Sequence, residues 1–412
     1  FYMPRATMVH DGSAGFAVGE AASLVDIDGG AKGNAIASYA FNTTSKADVY
    51  AVPTVAVTQD LSGLGIPVVL GVGVSATSGI GVDYKHTSNS LGAAAELINL
   101  GVNAGIGMKM SDTLDVGVSM TITYAMLEAG LTGTGGMTHD IGFRGTVGAR
   151  KYMGPMTVGL YYQTEQEHQY DNIWVTSNDG TTPAVTSTFV TPVCNGDVVT
   201  ATSGVCRQDL IAQQPANIGL GISMDMGNNL MVMADVTHKK WSDAHFFNEF
   251  YDDQNVISIG VQKTMGNLKL RAGYGYADDP LLSQVAVGQE IATIGGVNSN
   301  GKAYTSPMYG LFMSYFQAME TPVIYKHRVA LGLGVENFLG VPFLSLDSHV
   351  AVQLEEDKCF GAGQADYTDG FDSSNTAKGT ALAGGLAARG CTANDHTKAT
   401  VSSFHLGGAL TW

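Results

Sequence analysis

The sequence predicts an all-β fold, a 14-stranded antiparallel β-barrel that crosses a membrane. Apolar residues alternate with small or charged ones over segments of about ten residues, the period of a strand with one face in lipid. Short turns join these segments at one end and long polar connections join them at the other. No run of 18 apolar residues offers a spanning helix. The pattern is sharpest from Ile218 to Tyr276. There Ile218, Leu220, Ile222, Met224 and Met226 precede a Gly-Asn-Asn turn, and Leu230, Val232, Ala234 and Val236 follow it. Ile257, Ile259 and Val261, a Met-Gly-Asn turn, and Leu268, Leu270, Ala272, Tyr274 and Tyr276 repeat the motif.

Composition agrees with a barrel that hides a polar lumen. The 412 residues include 53 glycines and only 14% charged residues, and the mean hydropathy of +0.09 is high for a soluble chain yet low for a helical membrane protein. A formal net charge of −16 would repel phosphates and excludes nucleic acid as a partner. Acidic residues gather at Glu165 to Asp171, Tyr251-Asp252-Asp253 and Asp278-Asp279. They read as a solvated outer surface, with a loop-bound hard cation such as Ca²⁺ as the sharper alternative. The chain begins Phe1-Tyr2-Met3-Pro4 with no basic and then apolar leader, so any secretory signal is expected to be already removed.

In order, residues 1–33 show no sustained alternation and are expected as a hatch inside the barrel, with one short helix over Ala17 to Val25. The barrel is expected over 34–412. A weak strand at 34–42 is followed by 48–60 and 66–76, then by a glycine- and serine-rich loop to about 96. Strands 98–110 and 114–125 follow, with Leu114, Val116, Val118, Met120, Ile122 and Tyr124 on one face and Asp115, Gly117, Ser119, Thr121 and Thr123 on the other. Strands 139–151 and 156–166 lead into a long loop near 167–215, after which come the two hairpins described above. A second loop near 279–322 carries the apolar segment Met308 to Met319. Strands 324–338 and 342–356, a third loop near 358–398 and a last strand 399–412 complete fourteen. With Trp412 at the periplasmic end, the short turns at 62, 111, 153, 227, 265 and 340 all fall on that side.

Four cysteines lie in two long loops, Cys194 with Cys206 and Cys359 with Cys391. An even count confined to loops predicts two disulfides and an oxidising compartment, and three pairings satisfy it. Zinc is the alternative, against which the spacing argues. No Gly-x-Ser-x-Gly, His-Glu-x-x-His or phosphate loop is present, so neither enzyme chemistry nor a cofactor is expected.

Leu97-Ile-Asn-Leu-Gly-Val-Asn-Ala-Gly-Ile-Gly-Met-Lys-Met-Ser-Asp-Thr-Leu-Asp-Val-Gly-Val, Gly142-Phe-Arg-Gly-Thr-Val-Gly, Val158-Gly-Leu-Tyr-Tyr-Gln-Thr-Glu, Pro215-Ala-Asn-Ile-Gly-Leu-Gly, Asp235-Val-Thr-His-Lys-Lys-Trp241-Ser242 and Leu270-Arg-Ala-Gly-Tyr-Gly-Tyr with Asp279-Pro280 resemble the FadL-type outer-membrane transporters of long-chain fatty acids and hydrocarbons. The resemblance covers about 48 to 280 and returns at His327 to Glu336. Ser13-Ala-Gly-Phe-Ala-Val-Gly-Glu20-Ala-Ala is similar to that family's hatch, but Asn34-Ala35 stands where the family has Asn-Pro-Ala. The resemblance implies passive entry of an apolar ligand between extracellular loops, a pocket of hatch and barrel, and sideways exit through the wall.

Phe1, Met3, Phe16, Phe312, Tyr315 and Phe316 are the side chains suited to touch such a ligand, and they would serve equally to pack a hatch. Asp115, Asp225, Asp235, Glu336, Asp347, Arg144, Arg150, Lys269, Arg271 and Arg328 fall on the polar strand face. They read as cross-strand pairs, or, for a cation such as Arg144 or Arg271, as partners of a ligand carboxylate. Tyr124, Tyr162, Trp241, Tyr276 and Trp412 are expected outward at the membrane interface. The expected partners are outer-membrane lipids and a hydrophobic small molecule, and a homo-oligomer is compatible with the sequence. Beside transport stand two other readings, a porin-like channel for small solutes and a structural surface protein.

Overall fold

The computed structural model describes residues 2–12, 41–47, 50–87, 93–129, 137–177, 190–192, 205–249, 251–281, 324–360 and 395–412. Among the described residues are eighteen strands: β1 (Tyr2–Gly12), β2 (Phe41–Thr44), β3 (Thr54–Asp60), β4 (Val68–Asp83), β5 (Ala94–Ser111), β6 (Leu114–Ala129), β7 (Thr138–Met153), β8 (Met156–Gln163), β9 (Gln166–Ser177), β10 (Val190–Pro192), β11 (Val205–Gln214), β12 (Asn217–Asp225), β13 (Leu230–Lys239), β14 (Gln254–Met265), β15 (Leu268–Ala277), β16 (His327–Val335), β17 (Ser345–Phe360) and β18 (Asp395–Thr411). Among the described residues no helix is long and apolar enough to cross a membrane.

Fifteen strands form one antiparallel sheet in the order β2-β1-β18-β17-β16-β15-β14-β13-β12-β8-β7-β6-β5-β4-β3. β2 and β3 descend in succession, β2 on β1 and β3 on β4, so together they fill one wall position and the wall has fourteen. Closure is made at the rim that carries the long connections. Ser45 N donates to Ala6 O of β1 at 2.7 Å, and Lys46 N donates to Asp83 O of β4 at 2.9 Å. At the same junction Thr43 Oγ1 meets His86 Nε2 at 3.1 Å and Thr87 Oγ1 at 2.7 Å. These contacts join the two ends of the sheet at that rim, whereas along Thr54–Asp60 β3 pairs only with β4 among the described residues.

Residue alternation fixes which face meets lipid. Val55 pairs with Val74, Val74 with Val102, Val102 with Ile122 and Ile122 with Phe143, and all five are exposed. On the same face a second outward row runs through Leu160, Leu220, Val236 and Ile257. Tyr124 and Tyr162 stand on this face, as their alternation predicts. The short turns lie together at the opposite rim from the closure. In one of them Met265 pairs with Leu268 across Gly266, whose φ of 59° suits glycine.

Three expectations are corrected. The first wall strand is Tyr2–Gly12, which pairs with β18 along its whole length, rather than 34–42. A strand so paired satisfies its backbone in the wall and is not part of a plug; the rest of the expected hatch, with its short helix over Ala17 to Val25, lies outside the described residues. The loop expected from about 77 to 96 is shorter, because β4 runs on to Asp83 and β5 begins at Ala94. The loop near 167–215 carries β9, β11 and β10, which form a separate three-stranded sheet. It pairs within itself and lies against the inner face of β7 at Gly142, where no lipid face imposes period-two apolarity.

Inner-face glycines make room for large neighbours. Gly219 of β12 lies beneath the Tyr161 ring of β8, so a Cβ at 219 would fall inside that ring. Gly219→Val is expected to expel Tyr161, break the 3.2 Å contact between its hydroxyl and Thr237 Oγ1, and cost about 1–3 kcal/mol of stability. A lower urea midpoint for unfolding in lipid checks this.

Candidate functional site: the barrel lumen

Burial divides the lumen into two halves. Along β5 the inner-face residues Ala95, Leu97 and Asn99 are buried, whereas Asn103, Gly105 and Gly107 are partly open. β6 repeats this, with Thr121, Thr123 and Ala125 buried and Ser119 and Gly117 partly open. The half toward the long connections is therefore filled, and the half toward the short turns is hollow. A cavity of about 770 Å³ occupies the hollow half against β3 to β8. Thr54, Ser75, Asn103, Ser119, Thr146, Tyr161 and a series of glycines line it.

At the short-turn end of the cavity, Arg150 Nη2 donates to Asp115 Oδ2 at 2.7 Å and Tyr152 Oη donates to the same oxygen at 2.8 Å. Register places Arg150 directly opposite Asp115, so this is the cross-strand pair that the alternation predicts. Lys269 pairs with Glu336 at 2.5 Å, and Arg271 pairs with Asp347 across the inner face of β16 while its Nε donates to Gln262. Arg144 is held differently. Its Nε donates to Thr164 O at 2.7 Å and its Nη2 to Pro215 O, both backbone carbonyls. Arg144 and Arg271 are thus committed to protein partners.

Arg328 is the exception among these cations, since no carboxylate pairs with it among the described residues. It stands on the inner face opposite Gln353, and Gln353 stands opposite Ser403. Ser403 Oγ hydrogen-bonds Gln353 Oε1 and lies 3.1 Å from His405 Nε2, and the His349 ring crosses Gly407 one rung below. Arginine, amide, hydroxyl and two imidazoles thus share one face of β16 to β18. Alternation alone places Arg328 on the polar face but gives Gln353, Ser403 and the histidines no role. The alternation of Ser403 and His405 with Phe404 and Leu406 was the available signal.

Of the other expected contact residues, Met3 pairs with Phe404 on the outer, lipid-facing row, so in this register it faces away from the lumen. Phe1, Phe16, Phe312, Tyr315 and Phe316 lie outside the described residues. Cys206 stands in β11 and Cys359 in β17, while Cys194 and Cys391 lie outside the described residues. Trp241 is corrected: it belongs to the connection after β13, packed edge-on to Phe247 at 5.0 Å and Tyr251 at 5.2 Å, not to the lipid interface. Among the described residues no three His, Cys, Asp or Glu side chains group to hold a metal ion.

No protein-family model matches the sequence, and no curated protein matches it. Solved structures do. A Pseudomonas aeruginosa FadL homologue matches with a TM-score of 0.55 at 14% identity, over 100% of this chain and 88% of that one. The Pseudomonas putida toluene transporter TodX matches at 0.49 and 14%, over 99% and 88%, and the Ralstonia pickettii toluene transporter TbuX at 0.47 and 13%, over 99% and 89%. The chain has the fold of the FadL-type outer-membrane barrels.

Proposed function

We propose that the protein is an outer-membrane transporter that passively admits amphipathic hydrophobic molecules bearing a carboxylate, the class to which long-chain fatty acids belong. The supporting observation is a lumen filled on its long-connection side, hollow on the other, and carrying one arginine with no carboxylate partner among the described residues. Arg328, with the Gln353 amide on the same rung, offers its guanidinium to one anionic head, and an arginine fork matches a carboxylate in two places. The glycine- and hydroxyl-lined cavity against β3 to β8 imposes little shape, which suits a flexible chain. Two disulfides, Cys194 with Cys206 and Cys359 with Cys391, are part of this reading, bracing the long connections that would receive the ligand.

Calorimetric titration in mild detergent with a long-chain fatty acid and with its methyl ester tests the head-group assignment. The acid is expected to bind at least tenfold more tightly. Equal affinities would contradict a carboxylate site and turn the reading to neutral hydrocarbons.

A further inference from the structure

The ribbon formed by β9, β11 and β10 leaves the wall and folds over its inner face. β8 ends at Gln163 beside β7, and Thr164 N still donates to Gly145 O at 2.9 Å. Past that point β9 turns inward. The inward turn shows at Gly142, an inner-face position opposite Thr123, where a Cβ would lie 2.5 Å from His168 Cε1 and 2.7 Å from Glu167 O. Gly142 is therefore a notch in the wall, and the His168 side chain of β9 occupies it. Arg144, two residues along the same face, grips the two carbonyls where the ribbon departs and returns, Thr164 and Pro215. Tyr170, Leu210 and Ala212 of the ribbon are buried in this position.

The seat has an unusual polar feature. His168 is 2% exposed, and neither ring nitrogen has a hydrogen-bond partner. Asp140 Oδ2 lies 3.7 Å from His168 Nδ1, but that oxygen already accepts from Gln169 N at 2.9 Å. We propose that the β9–β11 ribbon is a lid on the long-connection mouth of the barrel, seated by His168 in the Gly142 notch and released when His168 takes up a proton. A buried imidazole without partners is tolerated neutral, whereas a buried imidazolium is costly.

The groups that face His168 agree on the direction. Burial pushes its pKa below the ordinary imidazole range, the Asp140 carboxylate opposes this and the Arg144 guanidinium adds to it. On β9 itself Glu167 accepts from Gln213 and lies 3.9 Å from His245 of the connection after β13, and the Tyr170 ring is tilted against His168 at 6.0 Å with its hydroxyl held protonated by burial. From β6 the facing residue is Thr123, which carries no charge, and from β11 it is Ala212. Above the ordinary imidazole range neither lid position binds a proton there. Below that range the released lid, with His168 in water, binds a proton that the seated lid resists, so the seat weakens as pH falls toward the lower pKa of the seated state.

Conductance in planar bilayers, with potassium chloride as the probe, tests this without any transported ligand. The wild-type protein is expected to conduct at least threefold more at pH 5 than at pH 7.5. His168→Leu should keep the low value at both pH values, and His168→Gln serves the same purpose should the leucine variant fold poorly. Gly142→Ala, which fills the notch, should conduct at the high level already at pH 7.5. A wild-type conductance indifferent to pH, a rise that survives removal of the imidazole, or a Gly142→Ala variant like wild type would each overturn the lid. None of these outcomes bears on whether a fatty acid binds.

Discussion

Val118→Arg is expected to destabilise the barrel by about 2–4 kcal/mol, the cost of a cation at mid-depth on a lipid-facing strand. Val118 is 56% exposed and stands in one outward row between Ile106 of β5 and Val147 of β7, both exposed and apolar. In hydrocarbon the guanidinium finds no partner on that row, and its side chain must bend toward the interface. Ser119→Arg, one residue along, points into the hollow lumen beside water and is expected to cost under about 1 kcal/mol. Urea unfolding in lipid vesicles, followed by the gel mobility of the folded form, checks the contrast. Similar costs at 118 and 119 would mean that the two faces of β6 do not divide lipid from lumen.

Arg328→Ala is expected to weaken fatty-acid binding by about 10–100-fold, the effect of losing a charge-assisted pair worth roughly 1.5–3 kcal/mol. The methyl ester should change little, because it carries no charge for Arg328 to hold. Arg328→Lys should recover part of the loss, as a point charge replaces a two-pronged one. Arg271→Ala differs in kind. It leaves Asp347 unpaired, so it should lower stability first and affinity only through that. The same calorimetric titration, run beside a stability measurement, separates the two arginines.

Much of the wall was legible because the physical demand on it is simple. A strand between lipid and a wet lumen must alternate, and β6, β12, β13, β14 and β15 fall within a few residues of the alternating stretches. β1 was missed because its sequence, Tyr-Met-Pro-Arg-Ala-Thr-Met-Val-His-Asp-Gly, does not alternate cleanly. Pairing to β18, a contact nearly four hundred residues away in sequence, places it, and periodicity carries no such information. The β9–β11 ribbon was hidden for a related reason. It answers to Gly142 and Arg144 on another strand, not to lipid.

The lumen was legible as a set of charges but not as a set of partners. Alternation put Asp115 and Arg150 on one face, and register then made them neighbours. It put Arg144 there as well, yet could not show that its donors end on Thr164 and Pro215. Nor could it show that Arg328 shares a rung with Gln353 and Ser403, which requires the order of three strands. Met3 was misread because a residue near the chain start was assigned to a plug before its strand was known.

The most direct test is native mass spectrometry of the protein purified in mild detergent, with extraction of whatever apolar molecule it retains. A long-chain carboxylic acid bound at about one per chain, and lost in Arg328→Ala, is the expected result. Protein that retains no acid, and takes none up when offered it, would contradict a carboxylate-bearing cargo.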